Sequence, residues 1–166
     1  MKKLFNIARK LTANLTWEMV SGLLSKPLLL LPTVWATIES ILFSKINFEE
    51  NSGARGVANA FRHAAWNLLI AKNCTLFTTR EKAVHWAKFT TDLHEDCFPN
   101  EPFDHEMDLH NNRVGREVFE KLAQQRLSKK EMMAKLLRKT DSAIGLADEK
   151  AFADYPDELV YYSTGI

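Results

Sequence analysis

Val57-Ala58-Asn59-Ala60-Phe61-Arg62-His63-Ala64-Ala65-Trp66-Asn67-Leu68-Leu69-Ile70-Ala71-Lys72 is the stretch whose reading decides the fold. Phe61, Ala64, Ala65, Leu68 and Leu69 recur at intervals of three and four, which predicts a helix from about Val57 to Lys72. Asn59, His63 and Asn67 fall at i, i+4 and i+8, so an amide, an imidazole and an amide stack along a second stripe, with Arg62 and Trp66 beside them. That stripe borders the apolar face, and buried polar groups need partners. Either it ties helices together through hydrogen bonds or it lines a site.

The flanking sequence continues in helices. Asn51 to Gly56, with Ser52, Gly53 and Gly56 and no apolar period, reads as a loop. Upstream of it Leu4, Ala8, Leu11 and Leu15 keep helical spacing. Pro27 and Pro32 should interrupt the hydrogen-bond ladder, so the N-terminal third is predicted to form two or three helices, the last near Thr33 to Ile46. Downstream, Thr79 is a plausible N-cap for a helix to about His94 that buries Ala83, Val84, Trp86, Ala87 and Phe89. An acidic loop around Pro99 and Pro102 leads to a helix from about Glu106 to Gln125. Ser128 and Glu131 form a capping box for a last helix to about Ala143, with Gly145 as its stop. The tail from Ala147 reads as a short helix and an extended segment at Leu159 to Tyr162.

The expected architecture is therefore all-α, a compact single-domain multi-helix bundle with an irregular C-terminal tail. Residues 1–50 would supply basic and apolar helices packed on the core, 51–146 the motif-bearing core and 147–166 the tail. A length of 166 residues suits one hydrophobic core, and 6 Gly and 5 Pro are too few for the turns of many short strands. With 46% hydrophobic and 26% charged residues and a net charge of +1, disorder and a basic nucleic-acid arm are excluded, and no nucleic-acid partner is expected. Cys74 and Cys97 are too few for a disulfide framework and lie outside any zinc spacing, which suits a reducing cytoplasm. Charge is uneven along the chain: Lys2, Lys3, Arg9, Lys10, Lys26 and Lys45 face only Glu18 and Glu39 over the first 46 residues, a balance of +4. Lys26, Pro27 and Pro32 break the apolar stretch from Met19 to Trp35, so neither a signal peptide nor a spanning helix is expected. The basic amphipathic start can rest on the core or on lipid, so residues 1–35 are the expected peripheral membrane contact of a cytoplasmic protein.

Two further polar clusters follow the first. His94 and Glu95 stand where a helix gives way to the acidic loop. Asp108, Asn111, Asn112 and Gly115 then lie at i, i+3, i+4 and i+7, a carboxylate and two amides beside a residue that permits close helix approach, with Arg116 adjacent. His94-Glu95 and His105-Glu106 are followed at the zincin offset by Phe98 and Leu109, so no HExxH helix exists. Asp104, Glu106, Asp108 and Asn112 alternate as in a calcium loop, but Leu109 occupies the position that needs glycine. GxSxG, GxGxxG, P-loop and CxxC patterns are absent. Cys97 lies three residues beyond His94, a weak candidate for a thiolate nucleophile.

Ala60-Phe61-Arg62-His63-Ala64-Ala65-Trp66-Asn67, His94-Glu95 and Met107 to Arg116 resemble the motifs of an uncharacterised helical domain family, over about Gly53 to Arg126. Proteins similar in these motifs occur as small stand-alone bacterial proteins and as C-terminal regions of large secreted RHS-type toxin proteins. The second setting implies an enzymatic effector; with neither a delivery region nor a signal peptide in this chain, the stand-alone form is the one expected.

If helical neighbours converge, His63, His94, Glu95 and Asp108 surround one cavity, with Asn59, Arg62, Trp66, Asn67, Asn111, Asn112 and Arg116 at its rim as substrate-binding groups. Such a set can hydrolyse a phosphoester, lipid or amide bond of a small-molecule or lipid substrate by general acid/base chemistry. The same His63, His94, Glu95 and Asp108 are candidate ligands of a divalent metal. The competing expectation is a non-catalytic helical domain in which these groups form a structural network and the N-terminal helix binds a partner or a membrane.

Overall fold

Residues 16–48, 55–98 and 101–163 are described by the computed structural model, so the expected helix along Leu4 to Leu15 and most of the Asn51 to Gly56 loop lie outside it. Among the described residues six α-helices form: α1 (Trp17–Leu24), α2 (Pro27–Asn47), α3 (Val57–Cys74), α4 (Arg80–Cys97), α5 (Pro102–Ala123) and α6 (Lys129–Arg138). The Thr16 and Thr79 hydroxyls cap α1 and α4, and Ser128 with Glu131 closes the expected capping box on α6. The all-α expectation holds.

The boundaries differ from expectation at prolines and at the C-terminus. Pro32 does not break α2, which runs unbroken from Pro27 to Asn47. Pro27 stands in the first turn, where its missing N–H costs nothing, and Pro32 forfeits a single interior bond, offset by burying Leu29, Pro32, Ala36 and Ser40 along one face. α5 starts at Pro102 for the same first-turn reason, ahead of the expected Glu106. α4 continues to Cys97, so His94 and Glu95 lie within its last turn. α6 ends at Arg138 and a 3-10 turn, Lys139–Ser142, carries the chain on. Gly145, expected as a helix stop, sits inside β1 (Ile144–Leu146), which pairs in parallel with β2 (Val160–Tyr162).

α3 is the centre of the molecule. It packs against α2, α4, α5 and α6, and Phe61, Leu68, Leu69 and Ile70 are among its fully buried side chains. Phe119, Met132, Leu136 and Leu159 complete the core around it. Side-chain contacts give the helix directions. Asn59 meets Asp108, His63 meets Asn112 and Asn67 meets Arg116, each step rising by four on both helices, so α3 and α5 run parallel. Asn67 meets Thr91 and His63 meets Glu95, the descending order of an antiparallel α4.

Gly115 makes the parallel pair possible. A Cβ there would lie 2.1 Å from the carbonyl oxygen of Ala64, a backbone atom with no freedom to turn aside. Gly115→Ala would gain about 1 kcal/mol of helix propensity but must push α5 off α3, an overpacking cost of about 1–3 kcal/mol or more. The expected result is a net loss of stability, read as a lower thermal midpoint.

Candidate metal centre

Each helix contributes one stripe. α3 presents Asn59, His63 and Asn67; α4 presents Thr91 and Glu95, one turn apart; α5 presents Asp108, Asn112 and Arg116, and all eight are buried. Asn59, His63 and Asn67 thus keep the spacing read from the sequence, and the parallel run of α5 sets a matching stripe against them.

The hydrogen bonds fix one another in order. Arg116 can only donate, and its Nη1 lies 2.7 Å from Oδ1 of Asn67, which also accepts from the Thr91 hydroxyl at 3.2 Å. The Asn67 amide nitrogen must then point the other way, where it donates to the His63 carbonyl at 3.2 Å and to Oδ1 of Asn112 at 2.7 Å. Asn112 in turn donates from Nδ2 to Oε1 of Glu95 at 3.3 Å. Its oxygen lies 3.3 Å from Nδ1 of His63, so Nδ1 carries the ring hydrogen. The remaining nitrogen, Nε2, then bears a lone pair, and it stands 3.4 Å from Oδ1 of Asp108. That oxygen accepts from Asn59 at 2.9 Å. Two acceptors so placed call for a proton or a cation between them. Glu95 closes the group, its Oε1 3.6 Å from Nδ1 of His63, and one ligand atom from each of His63, Glu95 and Asp108 lies within 4.8 Å of the others.

Burial governs the charges. It pushes the His63 imidazole down to about 3, assisted by the positive charge of Arg62. It lifts the Glu95 carboxyl to about 8, with the neighbouring Asp108 charge adding to the rise, and lifts Asp108 to about 6. Without a cation the centre therefore penalises ionised carboxylates. In metal-free protein the Glu95 contribution is fully present below the unfolded carboxyl value of about 4.3 and is lost as pH rises toward 8. Glu95→Gln removes that loss. Chelator-treated Glu95→Gln is expected to melt several degrees above chelator-treated wild type under alkaline conditions, with the gap closing in mild acid.

In front of His63 lies a cavity of about 270 Å³, lined by Arg62, His63 and Trp66 of α3, His94 of α4, and Thr37, Ser40 and Ile41 of α2. His94 stands edge-on to Trp66, ring centroids 5.1 Å apart, and beside Phe98; burial, then Arg62, lowers its pKa. The indole of Trp66 donates to the Thr37 hydroxyl at 2.8 Å. Arg62 stays exposed at the rim, hydrogen-bonded to Oδ1 of Asn59.

His63, Glu95 and Asp108 thus come together, with Asn59, Asn67, Asn112 and Arg116 supporting them from behind. His94, Arg62 and Trp66 line the cavity, and of these Arg62 also lowers the pKa of both carboxylates through its charge. Asn111 is not brought to the site. One position along the helix from Asn112, it turns to the C-terminal segment and pairs with both the N–H and the carbonyl of Val160, at 3.0 and 2.9 Å. The tail expected to be irregular is held on the core by this latch, with Leu159 and Val160 fully buried. No disulfide joins Cys74 and Cys97, and burial raises both thiols, Cys74 to about 11, which disfavours a thiolate nucleophile. Sequence reading missed Thr91, which extends the Glu95 stripe back by one turn. It also missed Thr37, Ser40 and Ile41, whose helix carried no recognised motif.

No curated protein and no solved structure matches the chain. A family model does, over residues 20–144, well over half of the sequence and all of the residues that build the centre. The chain belongs to the family described as Domain of unknown function (DUF6973).

Proposed function

We propose that this protein is a metal-assisted hydrolase of ester or phosphoester bonds, its divalent cation held by Nε2 of His63 and the carboxylates of Glu95 and Asp108. The observation that carries the reading is the fixed imidazole: Arg116, Asn67 and Asn112 leave a lone pair on Nε2 facing Asp108, and one ligand atom of each of His63, Asp108 and the buried Glu95 lies within 4.8 Å of the others. Ligating histidines typically donate their other ring N–H to an acceptor, the role Asn112 fills here. One imidazole nitrogen with two carboxylate oxygens suits Zn²⁺ or Mn²⁺, and three protein ligands leave coordination positions open, as catalytic centres do.

Such a cation would lower the pKa of a bound water and polarise the substrate oxygen. The chain's own groups do the rest. Arg62 at the rim holds an anionic substrate oxygen, and Trp66 and Ile41 exclude water from the cavity. The water oxygen bonds to the acyl carbon or phosphorus while the bond to the leaving oxygen breaks. His94, neutral through burial, accepts the water proton and returns it to the leaving oxygen.

Elemental analysis of purified protein, with thermal melts before and after chelation, tests the reading. Near-stoichiometric Zn or Mn is expected, with a melting temperature that falls on chelation and recovers on adding the metal back. A ligand at 100 times its Kd adds about 2.7 kcal/mol. Metal-free protein whose melting is indifferent to added Zn²⁺ and Mn²⁺ would sink the proposal and leave the network as scaffolding alone.

A further inference from the structure

α2 is built inside out. Its polar side chains turn toward the molecule: the Thr33 and Thr37 hydroxyls accept from the indoles of Trp86 and Trp66 at 2.9 and 2.8 Å, and Glu39 is held by Lys129 and by Asn73. Its outward side is apolar. Leu28, Leu31, Trp35, Ile38 and Leu42 form a seam spaced 3-4-3-4, with Leu31 80% and Leu28 68% exposed. Single exposed apolar residues are ordinary, but a contiguous face of this length marks contact with an apolar phase or partner.

Two observations say what covers it. The first is the charge carried by the sequence: the first 46 residues hold six basic side chains against two acids, four of them, Lys2, Lys3, Arg9 and Lys10, in the stretch that precedes α1 and lies outside the described residues. The second is continuity with the site. Ile41, exposed on this face, is also a wall of the cavity in front of His63, so the apolar surface runs directly into the reaction chamber. At about 270 Å³ the cavity stands at the small end of the ~300–1,000 Å³ usual for ligand pockets, with room for the ester portion of a larger molecule. By length and composition α2 could also cross a membrane, with a mean hydropathy of 1.5. Its inward ion pair and its packing along α3 instead fit a helix lying in the interface plane.

We infer that the outer face of α2 seats the domain on an anionic bilayer and that the substrate is an ester of a membrane phospholipid, drawn over Ile41 into the cavity. This rests on the hydrolase reading for its chemistry. Water's oxygen bonds to the lipid's acyl carbon or phosphorus, the ester C–O or P–O bond breaks, and the leaving oxygen takes a proton. No oxidant or co-substrate is needed. Arg62 at the rim meets the lipid phosphate.

The test is flotation of the full-length protein with phosphatidylcholine vesicles, with and without phosphatidylglycerol, followed by mass spectrometry of the vesicle lipids. The wild type should float with the anionic vesicles, less so in high salt, and should generate lipid cleavage products. Leu31→Glu with Trp35→Glu should lose at least about tenfold in partitioning while keeping its melting temperature and metal content, because both side chains are exposed. Wild type that stays in solution overturns the inference, whether a second copy or another segment of the chain covers the face; a dimer dissociated by the same substitutions would identify the first. Hydrolysis of a small soluble ester with vesicle lipids left intact overturns the lipid substrate while sparing the hydrolase reading. Vesicle binding by a protein that retains no metal and cleaves nothing overturns both substrate and catalysis.

Discussion

Asp108→Asn is expected to yield a folded protein that no longer retains divalent metal and whose turnover falls by more than about 100-fold, the upper range for loss of an outer-shell partner alone. The substitution is nearly isosteric. It removes one of the two carboxylates that can neutralise a dication: the atom 3.4 Å from Nε2 of His63 also accepts from Asn59, so it stays an oxygen, and a neutral amide oxygen replaces a charged ligand. In the absence of metal the same change removes a buried acid whose ionisation burial opposes, so chelated Asp108→Asn should melt no lower than chelated wild type. With Zn²⁺ or Mn²⁺ present the order should reverse, since only the wild type gains from binding. Unchanged metal stoichiometry in the variant would refute the ligand assignment.

Asn67→Asp is expected to weaken metal retention by about 10–100-fold although Asn67 is no ligand. A carboxylate at this position keeps the Arg116 contact but cannot donate to Oδ1 of Asn112. Asn112 then turns its amide over, placing Nδ2 toward residue 67 and toward Nδ1 of His63. The imidazole must answer by moving its hydrogen to Nε2, which blocks the metal position. Nitrogen-15 NMR of the His63 ring reads this directly: Nδ1–H in metal-free wild type, Nε2–H in the variant. A merely structural Asn67 would change stability and leave the tautomer alone. Asn67→Asp with an unchanged tautomer and unchanged metal affinity would show that the relay through Asn112 does not set the ring.

Helices were legible because periodicity is a local property. The 59, 63, 67 stripe, the Thr79 cap and the Ser128–Glu131 box each depend on residues within one or two turns, and the structure keeps them. The meeting of His63, Glu95 and Asp108 followed from adding three such stripes together. What the letters hid is orientation. Asn111 and Asn112 are chemically alike, but one helical step sends the first to Val160 and the second to His63. α2 was misread at Pro32, which suggested a break that tertiary packing overrides, and its run of apolar residues gave no sign that Thr33, Thr37 and Ser40 are the inward side. No rule of local pattern says which face of such a helix a neighbouring tryptophan will select.

The matched four-residue rise of α3 and α5 also sets where this chain can tolerate changes in length. The turn between α3 and α4 is a spacer; extra residues there lengthen the chain without altering the rise of α3 or α5. One residue inserted between Asn59 and Asn67 would instead swing everything beyond it through about 100°, and the imidazole would part from both acids in a single step.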